Sequence, residues 1–222
     1  PFYKIASFEL TDLPLVEYIA SKKKPIILST GMANKKEIKE SIDIIKRYGC
    51  GDFVLLHCVS GYPTPIEEMN LNTIKLLRKE FKCEVGLSDH TLSNIAATVS
   101  IGLGVKIIEK HFTLKRSDGG PDAAFSMEPN ELKDLCHSAK AASLSLGKAS
   151  FNKKPVEEEN SKFRRSIYIV KDIKKGDIFT KDNLKRIRPG YGLSPKYYFE
   201  MLGKASKKEV KAGTPSKLSF FQ

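Results

Sequence analysis

Short apolar runs alternate with longer amphipathic stretches along the first 150 residues of the chain. The short runs are rich in Ile, Val, Leu and Phe, which is typical of strands, and they cover residues 2–7, 26–30, 53–58, 83–88 and 105–111. The longer stretches carry apolar residues every three or four positions and predict helices over residues 13–21, 35–47, 70–80, 93–102 and 129–146. This order of elements predicts βαβ units with a parallel sheet.

Each predicted strand ends in polar or small residues at the point where the chain turns. Because the carboxyl ends of parallel strands form the active face of α/β proteins, this pattern indicates chemistry rather than packing. Five βα units are visible, whereas a closed (β/α)8 barrel has eight. The chain also opens directly in a strand without an initial Met, so we expect three further units, roughly 110 residues, to precede it in a complete barrel.

After residue 150 the pattern changes to short strand signals separated by Gly and Pro. We therefore predict that residues 1–147 belong to the α/β domain, that residues 148–162 are a linker, and that residues 163–222 form a small β-rich domain. A domain of about 60 residues lies near the lower limit for independent stability, so we expect it to dock on another surface.

Composition excludes several classes of protein. With 222 residues, 41% of them hydrophobic, the chain is long and apolar enough to fold around a core. Residues 152–222 carry 18 Lys and Arg against 8 Asp and Glu, which is +10 of the net +12. These charges lack the aromatic platforms or arginine stripe of a nucleic-acid interface, and no apolar stretch could span a membrane. The cysteines, Cys50, Cys58, Cys83 and Cys136, lack CxxC spacing and predict reduced, buried thiols in a cytoplasmic protein.

Histidines stand at the ends of neighbouring predicted strands. His90 and His111 fall in adjacent βα units, so their imidazoles could converge above the sheet and hold Mn, Fe, Co or Zn with open positions for water and substrate. Structural histidines hydrogen-bonded in the mouth of a barrel would show the same spacing. His57 is a third candidate at a strand end, whereas we expect His137 to be structural or to face solvent.

Hydroxyl groups and one ammonium group share the same predicted face. Lys4 joins five hydroxyl residues at strand ends or turns, which are Ser7, Ser29, Thr30, Ser60 and Ser88. Together they predict a cradle for phosphate or carboxylate, although each would be an ordinary turn residue by itself. Asp118 and Asp122 lie in a glycine-rich loop that could bind sugar hydroxyls or amides, or could equally be a solvated surface turn.

Several motifs resemble, in order along nearly the whole chain, those of the sialic acid synthase (N-acetylneuraminate synthase) family. The motifs cover residues 3–7, 24–32, 57–58, 62–65, 86–91, 109–113, 120–122 and 188–190. Enzymes of that family condense phosphoenolpyruvate with an N-acylated amino sugar. The resemblance implies a (β/α)8 TIM barrel, of which about five C-terminal βα units are present here, followed by a small antifreeze-like (SAF) β-clip domain.

The resemblance also implies roles for individual residues. His90 and His111 would hold a divalent metal ion, Mn²⁺ or alternatively Mg²⁺ or Co²⁺, which polarises the aldehyde oxygen of the sugar. Glu9 would move protons or position water, with Lys4 as a second catalytic group. Phosphoenolpyruvate would be bound by Lys4, Ser7, Ser29, Ser60, Tyr62 and Ser88. The sugar would contact Tyr62, Asp122, Phe163 and Arg188, the last two from the opposite subunit of a domain-swapped homodimer.

Four stretches near the sugar side resemble the pseudaminic acid synthase branch of the family, namely residues 6–10, 60–61, 117–122 and 189–193. That branch implies 2,4-diacetamido-2,4,6-trideoxy-L-altrose as the acceptor and pseudaminic acid and phosphate as the products. The dipeptide His57-Cys58 is general to the family and leaves N-acetylneuraminate or legionaminate synthase as alternatives. Alternatives of another class are an inactive fragment and an antifreeze-like binding module, but ice-binding faces are rather apolar whereas the C-terminal segment is rich in lysine.

Overall fold

Five parallel strands, each hydrogen-bonded to the next one along the chain, form the sheet of residues 1–148 in the computed structural model. The structure describes residues 2–49 and 51–222. The strands are β1 (Tyr3–Ile5), β2 (Ile26–Ser29), β3 (Phe53–Cys58), β4 (Glu84–Ser88) and β5 (Ile108–Glu109). The helices are α1 (Leu13–Ser21), α2 (Lys35–Arg47), α3 (Thr73–Phe81), α4 (Ile95–Gly102) and α5 (Pro129–Leu146). The predicted parallel α/β fold is confirmed, whereas the described strands do not close into a barrel, because β1 and β5 are the two edges of the sheet.

Alternation along the strands divides their side chains between two faces of the sheet. Ile5, Leu28, Leu55 and Leu87 are buried in a core shared with the helices, and we call this side the helix face. The residues between them point to the opposite side, which we call the inner face, because successive side chains of a strand alternate. Whether a residue at a strand end joins the helix face or the inner face therefore depends on its place in this alternation and not on its residue type.

Helix α2 shows how local sequence produces an element. The Asn34 side chain accepts hydrogen bonds from the backbone N–H groups of Lys36 and Glu37, and the Glu37 side chain accepts one from the Asn34 N–H. This capping box satisfies donors that the first turn would otherwise leave unpaired. The apolar residues spaced along the helix, including Ile38 and Ile42, are buried against the sheet, as the periodicity predicts.

Several predicted elements are shorter than expected, and β5 and α3 are two of them. Strand β5 contains only two residues of the predicted run 105–111, because the backbone of His111 and Thr113 hydrogen-bonds to Met127 instead of continuing along β4. Helix α3 begins at Thr73 rather than at residue 70, because Asn70 has a positive φ of 43° that a helix cannot contain. Both limits depend on contacts or backbone angles that hydrophobic periodicity does not report.

Residues 149–222 form a second unit with its own core. Strands β6 (Ser166–Ile169) and β7 (Leu184–Ile187) pair antiparallel, and the short helix α6 is Tyr198–Met201. The core contains Ile167, Ile169, Phe179, Leu184, Met201, Phe220 and Phe221. Over the described ranges of both units, no helix has the length and apolar character needed to cross a membrane.

The cysteines follow the prediction of buried thiols only in part. Cys58 is buried at the end of β3 and Cys83 is half-buried, but Cys136 lies exposed on α5. All three are free thiols. Cys50 lies outside the described residues. The prediction of burial was therefore wrong for Cys136, and the spacing of cysteines does not reveal this difference in exposure.

Candidate functional site

Two histidines come together where β4 and β5 end. The register pairs Ser88 with Glu109, so His90 and His111 lie two positions further along each chain and on the same inner face. Their ring centroids are 5.2 Å apart. The structure thus places side by side the two imidazoles that the sequence singled out.

Each of these imidazoles has one ring nitrogen engaged by an oxygen atom. His90 Nδ1 is 2.9 Å from the carbonyl oxygen of Val59, which makes Nδ1 the hydrogen-bond donor and leaves the Nε2 lone pair free. His111 Nδ1 is 3.4 Å from Asp122 Oδ2. An oxygen partner on one nitrogen commonly orients a histidine whose other nitrogen binds a metal ion.

The pKa values of the two imidazoles shift in opposite directions. Burial by itself lowers the pKa of His90, but its contacts with the Cys58 thiol and the Val59 carbonyl outweigh burial and raise that pKa. Burial lowers the pKa of His111, and the neighbouring His90 lowers it further. As the pH falls, the first proton taken up by the pair therefore goes to His90.

The donor set fits a metal ion only in part. Among residues 2–49 and 51–222, no group of three or more His, Cys, Asp or Glu side chains is arranged to hold a metal ion. The two imidazoles supply two nitrogen donors of the kind that Mn, Fe, Co and Zn accept. A metal ion bound by these two side chains would keep its other positions for water or substrate.

A carboxylate from the chain itself lies within the predicted anion cradle. The Lys4 ammonium donates to Ser29 Oγ at 2.9 Å and pairs with Glu109 Oε1 at 3.3 Å. Ser88 Oγ donates to the same Glu109 oxygen at 2.8 Å. Lys4 and Ser88 therefore both contact one anionic group, with Ser29 bound to the Lys4 ammonium, and that anionic group is Glu109, to which the sequence reasoning assigned no role. The sequence marks Glu109 only as one of the polar residues at a strand end, and its position opposite Ser88 comes from the register of β4 with β5.

A second group of hydroxyls lies beside the backbone of Gly31. Ser7 Oγ accepts a hydrogen bond from the Gly31 N–H at 3.0 Å and donates to Cys58 Sγ at 3.3 Å. The Ser60 hydroxyl is buried near Tyr62 and makes no hydrogen bond to any of the described residues. A Cβ on Gly31 would lie 2.2 Å from Ser60 Oγ and 2.7 Å from Ser7 Oγ, so only glycine lets these hydroxyls approach.

Aromatic rings cover one side of the histidines. The Tyr62 ring lies 4.4 Å from His90 and 5.8 Å from His111, between ring centroids. The Phe125 ring lies 5.1 Å from His111 and 5.4 Å from Tyr62. Sequence reasoning identified Tyr62 through its motif but missed Phe125, which lies on a 3₁₀ turn without any distinguishing pattern. This aromatic wall excludes water from one side of the imidazoles and offers ring faces to a ligand.

Three further residues were predicted at the site, namely Glu9 in the first unit and Phe163 and Arg188 in the second. Glu9 ends the 3₁₀ turn Ser7–Glu9, and within the described part of the chain its carboxylate makes no hydrogen bond to another predicted site residue. Phe163 and Arg188 belong to the second unit, where both side chains are exposed.

The other two histidines lie elsewhere. His57 stands on β3 directly before Cys58, so alternation turns it to the helix face, where its Nε2 is 2.7 Å from the carbonyl oxygen of Met69. Burial lowers the pKa of this imidazole. The interpretation of His57 as a third candidate at the strand ends is therefore wrong, because His57 lies on the helix face and His90 lies on the inner face. His137 is exposed on α5, as expected.

These observations define an α/β protein with a cluster of ionisable and hydroxyl side chains at the carboxyl ends of its parallel strands. The chain belongs to the NeuB family, because the model of that family matches residues 1–151. The SAF domain model matches residues 164–217, within the second unit.

Curated relatives include enzymes for different acidic sugars. The pseudaminic acid synthase of Campylobacter jejuni is 43% identical over 220 residues, which cover 99% of this chain and 64% of the relative. The N,N'-diacetyllegionaminic acid synthase of the same organism is 42% identical over 212 residues, covering 94% of this chain and 64% of the relative. The chain spans less than two thirds of the length of these relatives.

A solved structure supports the same assignment. The N-acetylneuraminic acid (sialic acid) synthetase of Leptospira borgpetersenii, in complex with citrate, matches with a TM-score of 0.66 and 33% identity. The match covers 72% of this chain and 55% of that protein.

Proposed function

We propose that this chain carries the active site of a nonulosonic acid synthase, which joins phosphoenolpyruvate to an N-acylated amino sugar. In this reaction C3 of phosphoenolpyruvate attacks the sugar aldehyde, water adds at C2, and phosphate leaves by C–O cleavage. One observation carries the proposal. The cradle of Lys4, Ser29 and Ser88 and the pair of His90 and His111 both lie at the carboxyl ends of the strands. Membership of the NeuB family supports it.

The cradle is proposed to bind the phosphate and carboxylate of phosphoenolpyruvate. Its groups are Lys4, Ser7, Ser29, Ser60, Tyr62 and Ser88. The position of the Glu109 carboxylate supports this assignment, because Lys4 and Ser88 already hold one anionic group. The unpaired hydroxyl of Ser60 is a further donor for a ligand oxygen. Bound phosphoenolpyruvate would require Glu109 to turn away or to be protonated, since two anions repel each other.

A divalent metal ion, Mn²⁺ or alternatively Mg²⁺ or Co²⁺, is proposed to bind His90 and His111. When bound, it would supply Lewis-acid polarisation of the sugar aldehyde. The Val59 carbonyl would orient the His90 ring through its hydrogen bond, and the Asp122 carboxylate, 3.4 Å from His111 Nδ1, would orient the His111 ring. Glu9 is proposed to move a proton or to position the water that adds at C2.

For the sugar, we propose 2,4-diacetamido-2,4,6-trideoxy-L-altrose, which makes the product pseudaminic acid. Identities of 43% and 42% to pseudaminic and legionaminic acid synthases do not separate the two activities. The proposal depends on the residues near the sugar side, with Tyr62, Asp122, Phe163 and Arg188 as sugar contacts. N-Acetylneuraminate or legionaminate synthesis is the alternative. Phe163 and Arg188 would come from the partner in a domain-swapped homodimer, and we propose a cytoplasmic enzyme.

The same family resemblance supports two proposals on architecture. The five βα units would belong to a complete (β/α)8 barrel in the full enzyme. The domain limits would be 1–147 for the barrel portion, 148–162 for the linker and 163–222 for the SAF domain.

The test is phosphate release by the protein expressed from its complete gene. Phosphoenolpyruvate is supplied with the altrose derivative, with N-acetylmannosamine or with the legionaminate precursor, each in the presence of Mn²⁺. We expect kcat/KM to be highest for the altrose derivative and activity to disappear with a chelator. A higher kcat/KM for another sugar would overturn the acceptor, and no phosphate release with any sugar would overturn the synthase.

A further inference from the structure

A buried ion pair lies directly behind the two histidines. Lys110 Nζ is 3.0 Å from Asp89 Oδ2, and the two side chains are 4% and 0% exposed. Isolated charges are rarely buried to this extent, because removing them from water is unfavourable unless they are paired and hydrogen-bonded. The pair is not part of the cradle or of the aromatic wall, so the proposed reaction does not by itself account for it.

The register places this pair between the cradle and the histidines but on the other face of the sheet. The Asp89 N–H donates to the Glu109 carbonyl at 2.9 Å, which continues the pairing of β4 with β5 by one residue. Asp89 and Lys110 are therefore neighbours on the helix face, and His90 and His111 follow them on the inner face. Each charged residue directly precedes one imidazole in the chain.

The ammonium group also ties down the turn that follows β4. Lys110 Nζ donates to the carbonyl oxygens of Thr91 at 2.7 Å and Ser93 at 3.2 Å. Asp89 Oδ1 accepts a hydrogen bond from the Thr91 N–H at 2.8 Å. The segment that contains His90 is therefore held at three points, and all three are linked to the residue that precedes His111.

We propose that the Asp89–Lys110 ion pair is a positioning device that sets the separation and orientation of His90 and His111. Without the ammonium group, Asp89 Oδ2 and the Thr91 carbonyl lose this donor, and the Ser93 carbonyl keeps only the Thr91 hydroxyl at 3.1 Å. The turn then reorganises to reach water, and His90 moves relative to His111. The metal-binding consequence depends on the proposed function, whereas the effect on imidazole geometry does not.

Three variants test this proposal. Lys110→Met keeps the length of the side chain and removes its charge. The double variant Asp89→Leu/Lys110→Met removes both charges, and replacing a buried pair by apolar residues is often neutral for stability. Arg78→Met is the matched control, since Arg78 donates to the carbonyls of Leu103 and Gly104 at the opposite end of β4.

The main measurement is ¹⁵N-histidine NMR of the metal-free protein. The signals of His90 and His111 are assigned by substituting each of these histidines singly. Mn²⁺ affinity is measured from the different paramagnetic effects of free and bound Mn²⁺. The melting temperature of each variant is recorded as well. All measurements use the protein expressed from its complete gene.

We expect Lys110→Met to shift the signals of His90 and His111 and to lower Mn²⁺ affinity by about 10- to 100-fold. The double variant should regain most of the melting temperature but keep the shifted signals and the weak Mn²⁺ affinity. Arg78→Met should lower the melting temperature without moving either imidazole signal.

The proposal would be overturned if the double variant kept the imidazole signals and the Mn²⁺ affinity of the wild type. The ion pair would then have only a structural role. This variant decides the question even if Lys110→Met does not fold. A wild-type protein that binds no Mn²⁺ would refute the metal proposed above, and the imidazole signals of the metal-free protein would still decide whether the ion pair positions the two rings.

Discussion

Glu109 shows how one side chain can hold a binding site in a charge-balanced state. Its carboxylate pairs with Lys4 and accepts the hydroxyl hydrogen of Ser88, two groups that we propose bind phosphoenolpyruvate. The same residue therefore neutralises the cradle and competes with the anionic ligand. Because both Lys4 and Glu109 are partly exposed, this competition is weakened by solvent screening.

Glu109→Gln should strengthen the binding of inorganic phosphate. The amide oxygen still accepts from Ser88, but the charge that competes for Lys4 is gone. Since a partly exposed ion pair contributes at most about 1 kcal/mol, we expect a gain of up to about fivefold in affinity by isothermal titration calorimetry. Glu84→Gln is the control, because Glu84 pairs with Lys106 at the other end of β4. Equal affinities in wild type and Glu109→Gln would contradict this account.

Ser60→Ala should stabilise the free protein while weakening anion binding. The Ser60 hydroxyl is buried without a partner in the described part of the chain, so its removal relieves a desolvation penalty of about 1 kcal/mol. Urea unfolding and phosphate titration measure the two effects. Ser41→Ala is the control of opposite sign, since the Ser41 hydroxyl donates to the Leu10 carbonyl and its loss should destabilise. A destabilised Ser60→Ala with unchanged phosphate affinity would show that the hydroxyl has a structural partner.

At the scale of elements, capping and register have different origins. The start of α2 is specified by neighbours in sequence, Asn34 and Glu37, whereas β5 ends at Glu109 because the following backbone bonds to Met127. The start of α2 can be predicted from the local sequence, whereas the end of β5 depends on a segment almost twenty residues away. The predicted strand 105–111 was too long at its C-terminal end for this reason.

Asn34→Ala should lower the free energy of unfolding by about 1 kcal/mol, because the N–H groups of Lys36 and Glu37 lose their acceptor. Asn72→Ala provides a control at another helix, since Asn72 precedes α3 without a capping hydrogen bond from its side chain. We expect that variant to be close to neutral in chemical denaturation. Equal effects of the two substitutions would mean that the cap of α2 contributes nothing.

At the scale of the whole molecule, the chain contains two units with separate cores. Ile45 and Leu55 are buried in the first unit and Phe179 and Leu184 in the second. The excess positive charge is concentrated in the second unit, where residues 152–222 carry +10. Separate cores imply that damage to one unit need not unfold the other.

Phe179→Ala should unfold the second unit and leave the first intact. Removing a fully buried Phe side chain costs about 3–5 kcal/mol, which approaches the whole stability of a domain of this size. Hydrogen exchange followed by mass spectrometry should show loss of protection after residue 149 only. Phe199→Ala, at a residue that is 75% exposed, is the control and should change little. Loss of protection in both units would show that they unfold together.

The sequence by itself determined the element types, the parallel order of the first five strands and the residues that stand at strand ends, because these follow from periods of two and 3.6 residues along the chain. Tertiary structure decided which of those side chains meet. His57 and His90 look equivalent in the sequence as strand-end histidines, but alternation along the strands places His57 on the helix face and His90 on the inner face. Glu109 in the cradle and the buried pair of Asp89 with Lys110 depend on how β4 and β5 align, and that alignment is set by contacts between segments about twenty residues apart, which no local pattern encodes.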